Sequence, residues 1–285
     1  MSRNPTAAYL QALPLAIIMV LFVAVPLCVL LTLSTWTSDG ITLTPDFTLE
    51  NYIVVLSSPT TWWLLFATAK YALITWAVTL VVGFTCSYFL VFHVKSVKLQ
   101  IALFLLCTIP FWTSNVIRMI SWVPFLGREG LFNTMLLSSG VVDQPLDFLL
   151  FSDFAVILTY VHLFVLFMMV PIFNSMSKIN SSVIEAAVDA GASTWMVLKD
   201  VIIPLTRTGI ALGSIFVVTL VMGDFLVVRV MSGGQSASIA SAMKNNIDQL
   251  YYPDAAAMAV FLIVAVLLPI VAILRIVDVR AELAR

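Results

Sequence analysis

The sequence predicts an all-α polytopic membrane protein of about six transmembrane helices, and three observations predict it. Hydrophobic residues make up 61% of the 285 and charged residues only 10%, against about 25% charge in a typical soluble domain. The apolar residues gather into uncharged stretches near the roughly 20 residues that a spanning helix needs. Charge, finally, alternates in sign between successive connecting segments, as membrane topology requires.

The first stretch, Leu10–Leu33, is longer than the h-region of a cleavable signal, and no small-residue cleavage site follows it, so it is expected to stay as the first span. The outer segment 34–70 carries an apolar patch at Tyr52–Leu56, which reads as a short helix lying on the bundle. Tyr71–Phe92 and Leu99–Ile117 are the second and third candidate spans. Segment 118–153 follows, with a similar patch at Leu146–Phe151. Phe154–Phe173 is the fourth span, Thr208–Val228 the fifth and Ala255–Leu274 the sixth; the fifth is the least regular because Asp224 lies within it. Pro14, Pro26, Pro110, Pro171 and Pro269 fall inside spans, where neighbouring groups can satisfy the freed backbone. Trp36, Trp62, Trp63, Trp112 and Trp122 sit near expected span ends, as interfacial anchors do.

Net charge, −1, says little about partners; its distribution says more. Arg3, Lys95, Lys98, Lys178, Lys199, Arg207, Arg275, Arg280 and Arg285 fall in one set of connecting segments. Asp39, Asp46, Glu50, Glu129, Asp143, Asp147, Asp153, Asp224, Asp248 and Asp254 fall in the other. The positive-inside rule then puts both termini and the 174–207 loop in the cytoplasm. Cys28, Cys86 and Cys107 lie in apolar runs without a C-x-x-C pair and read as small hydrophobes. His162, inside a span, either lines a path or makes a structural hydrogen bond. No metal-ligand spacing, no nucleophile–base constellation and no G-x-x-x-x-G-K-[ST] phosphate cradle occurs, so neither catalysis nor a bound cofactor is expected.

The residues 181–204 read SSVIEAAVDAGASTWMVLKDVIIP. Ser182 and Glu185 are spaced as a capping box. Gly191 can adopt the left-handed conformation that ends a helix, and Ser193 or Thr194 can cap a second helix running to Pro204. Val183, Ala186, Ala187 and Ala190 fall on one face made almost wholly of small residues, which lets another surface approach the backbone closely. Glu185 and Asp189 put two carboxylates on an adjacent face.

Glu185, Ala186, Ala187, Gly191, Val201, Ile203 and Pro204 stand in the spacing of a known signature. It is E-A-A, three residues, G, nine residues, then hydrophobic–x–hydrophobic–Pro, and on it the chain resembles the permease subunits of bacterial ABC importers. The stretches TLENY (48–52), PFWTSNVIR (110–118), GREGLFN (127–133) and GDFLVVRVMSGG (223–234) are similar to the spermidine/putrescine branch, and most of all to the first of its two paired permeases. Arg207-Thr208-Gly209 departs from the pattern where many members have a proline before the glycine.

The resemblance implies a type I importer permease fold. It implies residues 1–60 as an N-terminal helix and outer segment, and 61–285 as the permease domain with its coupling loop at 181–204. It further implies a second permease subunit, two cytoplasmic ATPase subunits that bind the ATP, a periplasmic substrate-binding protein, and an inner-membrane location. Nucleic acid is not expected as a partner. Glu185, Ala186, Ala187, Gly191 and Pro204 would form the element that enters a cleft of the ATPase. Ten acids in the outer segments, against Lys70, Arg118, Arg128, Arg229 and Lys244, favour a cationic cargo. The alternatives are another small organic amine, betaine or amino-acid derivative, or, more remotely, a passive channel or membrane assembly factor.

Asp224 is the leading candidate for the path. It lies about 24 Å beyond Thr208 at 1.5 Å per residue, near the outer end of the fifth span. It either receives an ammonium group, pairs with Arg118 or Arg229, or meets the wet interface. Asn115 and Trp112 are its companions in the outer region, Trp112 serving equally well as an anchor, and His162 completes the set.

Overall fold

A computed structural model describes residues 13–277. The start of the expected first span, and the cations Arg3, Arg280 and Arg285 on which the topology partly rests, lie outside the described residues. The elements in chain order are α1 (Leu13–Leu33), a hairpin of β1 (Thr37–Ser38) and β2 (Leu43–Thr44), α2 (Glu50–Ser57), α3 (Pro59–His93) and α4 (Val97–Trp112). Then come α5 (Asn115–Ile120), α6 (Trp122–Leu126), α7 (Leu131–Ser138) and α8 (Asp153–Met176). The chain continues with α9 (Ser181–Asp189), α10 (Thr194–Gly223), α11 (Leu226–Met231), α12 (Ile239–Asp248) and α13 (Tyr252–Ile276). Five helices are long and apolar enough to cross a membrane. A sixth span arises if α4 and the Asn115–Ser138 run, bent by 91° against each other, are taken together. These match the six expected stretches in number and place.

Several boundaries move. The second span starts at Pro59 rather than near Tyr71, because Trp62, Trp63 and Lys70 are all carried on the helix. The third ends at Trp112, where a 3₁₀ turn over Ile109–Trp112 runs out at extended Thr113. Ser114 then caps the turned-away α5 through the Val116 N–H. Leu146–Phe151 forms only a 3₁₀ turn over Asp147–Leu149, whereas Tyr52–Leu56 is helical as expected.

Two compact units emerge: the chain up to Trp63 with Ala242–Val264, and Leu64–Ser241 with the chain from Ala265. In the first, β1 and β2 pair antiparallel with Thr37 opposite Thr44. The carboxylate of Asp39 closes the turn by accepting from the Thr42 and Ile41 N–H groups at 2.6 and 2.9 Å. Those two backbone donors, Thr42 first, hold the Asp39 carboxyl below the usual carboxylate range. Asn51 ties α2 back by donating to the carbonyls of Ser34 and Trp36 at 2.9 and 2.7 Å.

The second unit is organised around α8. Ser152 caps that helix through the Ala155 N–H, and Asp153 stands in its first turn, both favourable at a helix start. α8 is buried between α3 and α10 by small residues. A Cβ on Gly209 would lie 2.4 Å from the Pro171 carbonyl oxygen, and one on Gly213 2.8 Å from Met168 Sδ. Gly209-x-x-x-Gly213 is therefore a close-approach face on α10, of the kind that replaces the hydrophobic effect in packing helices inside lipid. Gly83 brings α3 nearly as close to Met168 and Met169. Cross-helix hydrogen bonds fix the register: Trp76 Nε1 to Ser214 Oγ at 2.8 Å, and Ser87 Oγ to the Met169 carbonyl at 3.1 Å. Cys86 and Cys107 pack in the apolar cluster around Leu90, Leu166 and Met169.

Candidate functional site

The 181–204 loop folds as helix, glycine bend, helix. Asn180, not Ser182, is the cap of α9: its side chain accepts from the Ser182 N–H at 3.2 Å. The helix thus begins one residue before Ser182, which takes the expected capping box out of register. At the other end Gly191 has φ +88°. Its N–H donates to the Val188 carbonyl at 2.9 Å and the Ala192 N–H to the Ala187 carbonyl at 3.0 Å. This is the Schellman pattern, which satisfies carbonyls that a helix end would leave bare. Open space surrounds Gly191 on the Cβ side, so the requirement for glycine there is one of backbone conformation alone.

Ser193 then caps α10 through the Met196 N–H at 3.3 Å. Pro204 does not end this helix. The turn before it, Val197–Ile202, is π-helical, with the Ile203 N–H donating to the Leu198 carbonyl. The wider turn absorbs the missing donor and the ring of Pro204, and the helix runs on to Gly223. Ala186 is exposed and Ala187 partly buried on α9, while Glu185 is exposed and lines a cavity of about 730 Å³ between α9, the end of α3 and the start of α10.

Asp224 follows the last residue of α10 instead of lying within a span, since the helix expected over Thr208–Val228 breaks here. Its Oδ1 accepts from the Val227 N–H at 2.8 Å, capping α11, and from the Tyr160 hydroxyl at 3.3 Å. Among the described residues it makes no ion pair, so pairing with Arg118 or Arg229 is absent. His162 Nδ1 accepts from Trp122 Nε1 at 2.9 Å, and a ring that accepts there carries its proton on Nε2. Asn115 Oδ1 accepts from Arg118 Nη2. Arg118 itself is buried, with its Nε and Nη1 unpartnered and Phe111 under the guanidinium at 5.5 Å. Trp112 is 87% exposed and lines an apolar groove of about 320 Å³ with Phe111, Phe167 and Phe216. Asp224 thus sits with Tyr160 and His162 with Trp122, whereas Asn115 and Trp112 are linked: the Arg118 guanidinium that donates to Asn115 lies over Phe111, which also lines the Trp112 groove.

One polar cluster was not anticipated. Asp153 accepts from Lys70 Nζ at 2.5 Å, from Ser236 Oγ at 3.0 Å and from the Tyr71 hydroxyl, pinning the start of α8 to α3 and to the 232–238 turn. Two residues before Lys70, Thr68 Oγ1 accepts from the Ile239 N–H at 3.1 Å. The available signal was a lysine and an aspartate at facing ends of two spans, Lys70 and Asp153.

Residues 95–282 match the family described as binding-protein-dependent transport system inner membrane component. The spermidine/putrescine transport system permease protein PotB of Escherichia coli is 35% identical over 227 residues, covering 79% of this chain and 81% of that one. The protein of the same description from Haemophilus influenzae is 30% identical over 247 residues, covering 82% of each. In fold, a chain of a bacterial alginate ABC transporter, solved in complex with an alginate pentasaccharide-bound periplasmic protein, superposes with a TM-score of 0.75. That superposition covers 94% of this chain and 92% of that one at 17% identity. The helical spans, the helix–glycine–helix loop and these matches together make the chain a multi-pass membrane protein belonging to the family of inner-membrane permease components of binding-protein-dependent transport systems.

Proposed function

We propose that this permease forms half of a path for linear polyamines of the spermidine and putrescine type, and that residues 181–204 receive the motion of a separate ATPase. The similarity to two PotB proteins over about four-fifths of the chain carries the cargo class. The acid-rich composition of the segments on one side agrees with a cation. The geometry of α9 supports the coupling role: a short helix with exposed Glu185 and Ala186, held by a tight glycine turn to a helix that runs uninterrupted to Asp224. The permease domain is taken to begin near residue 61, with 1–60 as an added helix and outer segment. Both termini and the loop lie in the cytoplasm, and a second permease, two ATPases that hold the nucleotide and a periplasmic binding protein complete the importer.

In this reading Asp224 is the cation-receiving group. Its Oδ1 is engaged by Val227 and Tyr160, and the carboxylate makes no ion pair among the described residues. His162, Asn115 and Trp112 would contribute to the same path.

The test is reconstitution of the complete importer. ATP hydrolysis should rise when a spermidine- or putrescine-loaded binding protein is added, with labelled amine accumulating in the vesicle. Stimulation confined to a betaine or an amino-acid derivative would move the cargo class while keeping the machinery. Solute flux independent of ATP would overturn the importer reading.

A further inference from the structure

The cavity behind the coupling helix has a chemistry of its own. About 730 Å³ lies within the range of roughly 300–1,000 Å³ of small-molecule sites. Its charged lining is a single carboxylate, Glu185, and no lysine, arginine or histidine lines it. The polar groups around it are acceptors or hydroxyls. Gln100 spends its amide nitrogen on the Leu90 carbonyl at 2.9 Å, which leaves Oε1 as an acceptor. The hydroxyls of Tyr88, Ser181 and Thr194, like the Glu185 carboxylate, make no hydrogen bond among the described residues. Tyr88 and Phe92, with ring centroids 5.3 Å apart, supply two aromatic faces. A space lined by unpaired acceptors, one negative charge and aromatic faces is suited to a molecule rich in N–H donors and positive charge.

We infer that this cavity is a binding site for a linear organic diamine or triamine, separate from the path through the spans. Its walls come from elements that the proposed mechanism requires to move. Glu185 and Ser181 belong to α9, Thr194 to the first turn of α10, and Tyr88 and Phe92 to the far end of α3. An amine that bridges α9 to α3 favours the arrangement in which those walls are this close, and so resists displacement of the loop. A ligand shifts a conformational equilibrium only by its difference in affinity for the two states, and displacing α9 would carry Glu185 and Ser181 away from Tyr88. Imported amine accumulating on the loop side would therefore slow turnover, a product brake built into the permease. The side and the turnover readout rest on the function proposed above; the site itself does not.

The experiment uses proteoliposomes of the complete importer with ATP inside and loaded binding protein outside. Spermidine inside should lower hydrolysis at least severalfold. The variant Tyr88→Phe, outside the 181–204 loop, removes one cavity hydroxyl and keeps the ring. It should raise the half-inhibiting spermidine concentration about fivefold, with hydrolysis in the absence of internal amine unchanged. Magnesium chloride at matched ionic strength should not substitute for the amine. Inhibition that is missing, that Tyr88→Phe leaves unmoved, or that magnesium reproduces equally would overturn the site. A second measurement separates this inference from the reading it rests on: retention of labelled spermidine by the complex in nanodiscs without binding protein. Variant-sensitive retention without amine transport would leave the site standing and remove the proposed cargo. Transport with variant-insensitive retention would do the reverse.

Discussion

Single residues in this permease are held by backbone geometry or by side-chain hydrogen bonds, and substitutions can tell the two apart. Gly191 sits at φ +88° with nothing near its absent side chain. Gly191→Val should cost about 1–3 kcal/mol as strain in the loop and depress uptake at matched membrane levels. Gly191→Asn, which tolerates that region better, should retain most of it. Equal loss in both would mean that the loop needs small size rather than a left-handed residue. Asp224 poses the other case. Asp224→Asn keeps the cap on α11 and removes the charge, so a cation-receiving role predicts reduced uptake with assembly and basal hydrolysis intact. Tyr160→Phe removes a single 3.3 Å hydrogen bond and should have the milder effect on uptake; a complex that fails to assemble in Asp224→Asn would make the residue a structural cap. His162 and Asp224 were legible in the sequence as polar residues in or near spans, but their partners were not. Trp122 bonds His162 across 40 positions and Tyr160 bonds Asp224 across 64, and such long-range pairs leave no local periodicity.

At the scale of elements, the close face of α10 against α8 is the feature most open to measurement. A Cβ added at Gly209 would meet main-chain oxygen at 2.4 Å, an atom that no rotamer change can move. Overpacking a tight core typically costs about 1–3 kcal/mol, so Gly209→Leu should lower the yield of intact complex on size-exclusion chromatography. Gly223→Ala, in open space, should behave as the parent protein does. Intact yields in both variants would show that the helices separate without loss. The existence of each span was readable from composition, because twenty apolar residues have few other fates. Their ends were less so. Pro204 reads as a stop to any local rule, and the π-helical turn at Val197–Ile202 is what carries the helix past it. The loop between α9 and α10 was legible almost throughout, because caps and glycine turns are decided within a few residues. The one slip there, Ser182 for Asn180, is a choice between neighbouring cap formers.

Across the whole molecule, segregated charge is the physical basis of orientation. A cysteine introduced at Ser182 should resist an impermeant thiol reagent applied to intact cells, while one at Ser139 should react. Both positions are exposed, so labelling reports the side of the membrane rather than burial. The reverse pattern would put the loop beyond reach of a cytoplasmic ATPase and remove the coupling role with it.

The unbroken course of α10 has a mechanical meaning. Thirty residues from Thr194 to Gly223 make a rod of about 45 Å at 1.5 Å per residue, with the glycine turn at one end and Asp224 at the other. Such a rod is a lever. Pivoting by about 5° at the loop end would carry the opposite end sideways by about 4 Å, on the same 1.5 Å rise, the π-helical turn at Val197–Ile202 lying close to the pivot rather than along the swinging length. A displacement of that size exceeds the length of the Tyr160–Asp224 hydrogen bond, 3.3 Å. The stroke delivered at one tip would thus be enough to make or unmake the carboxylate's surroundings at the other.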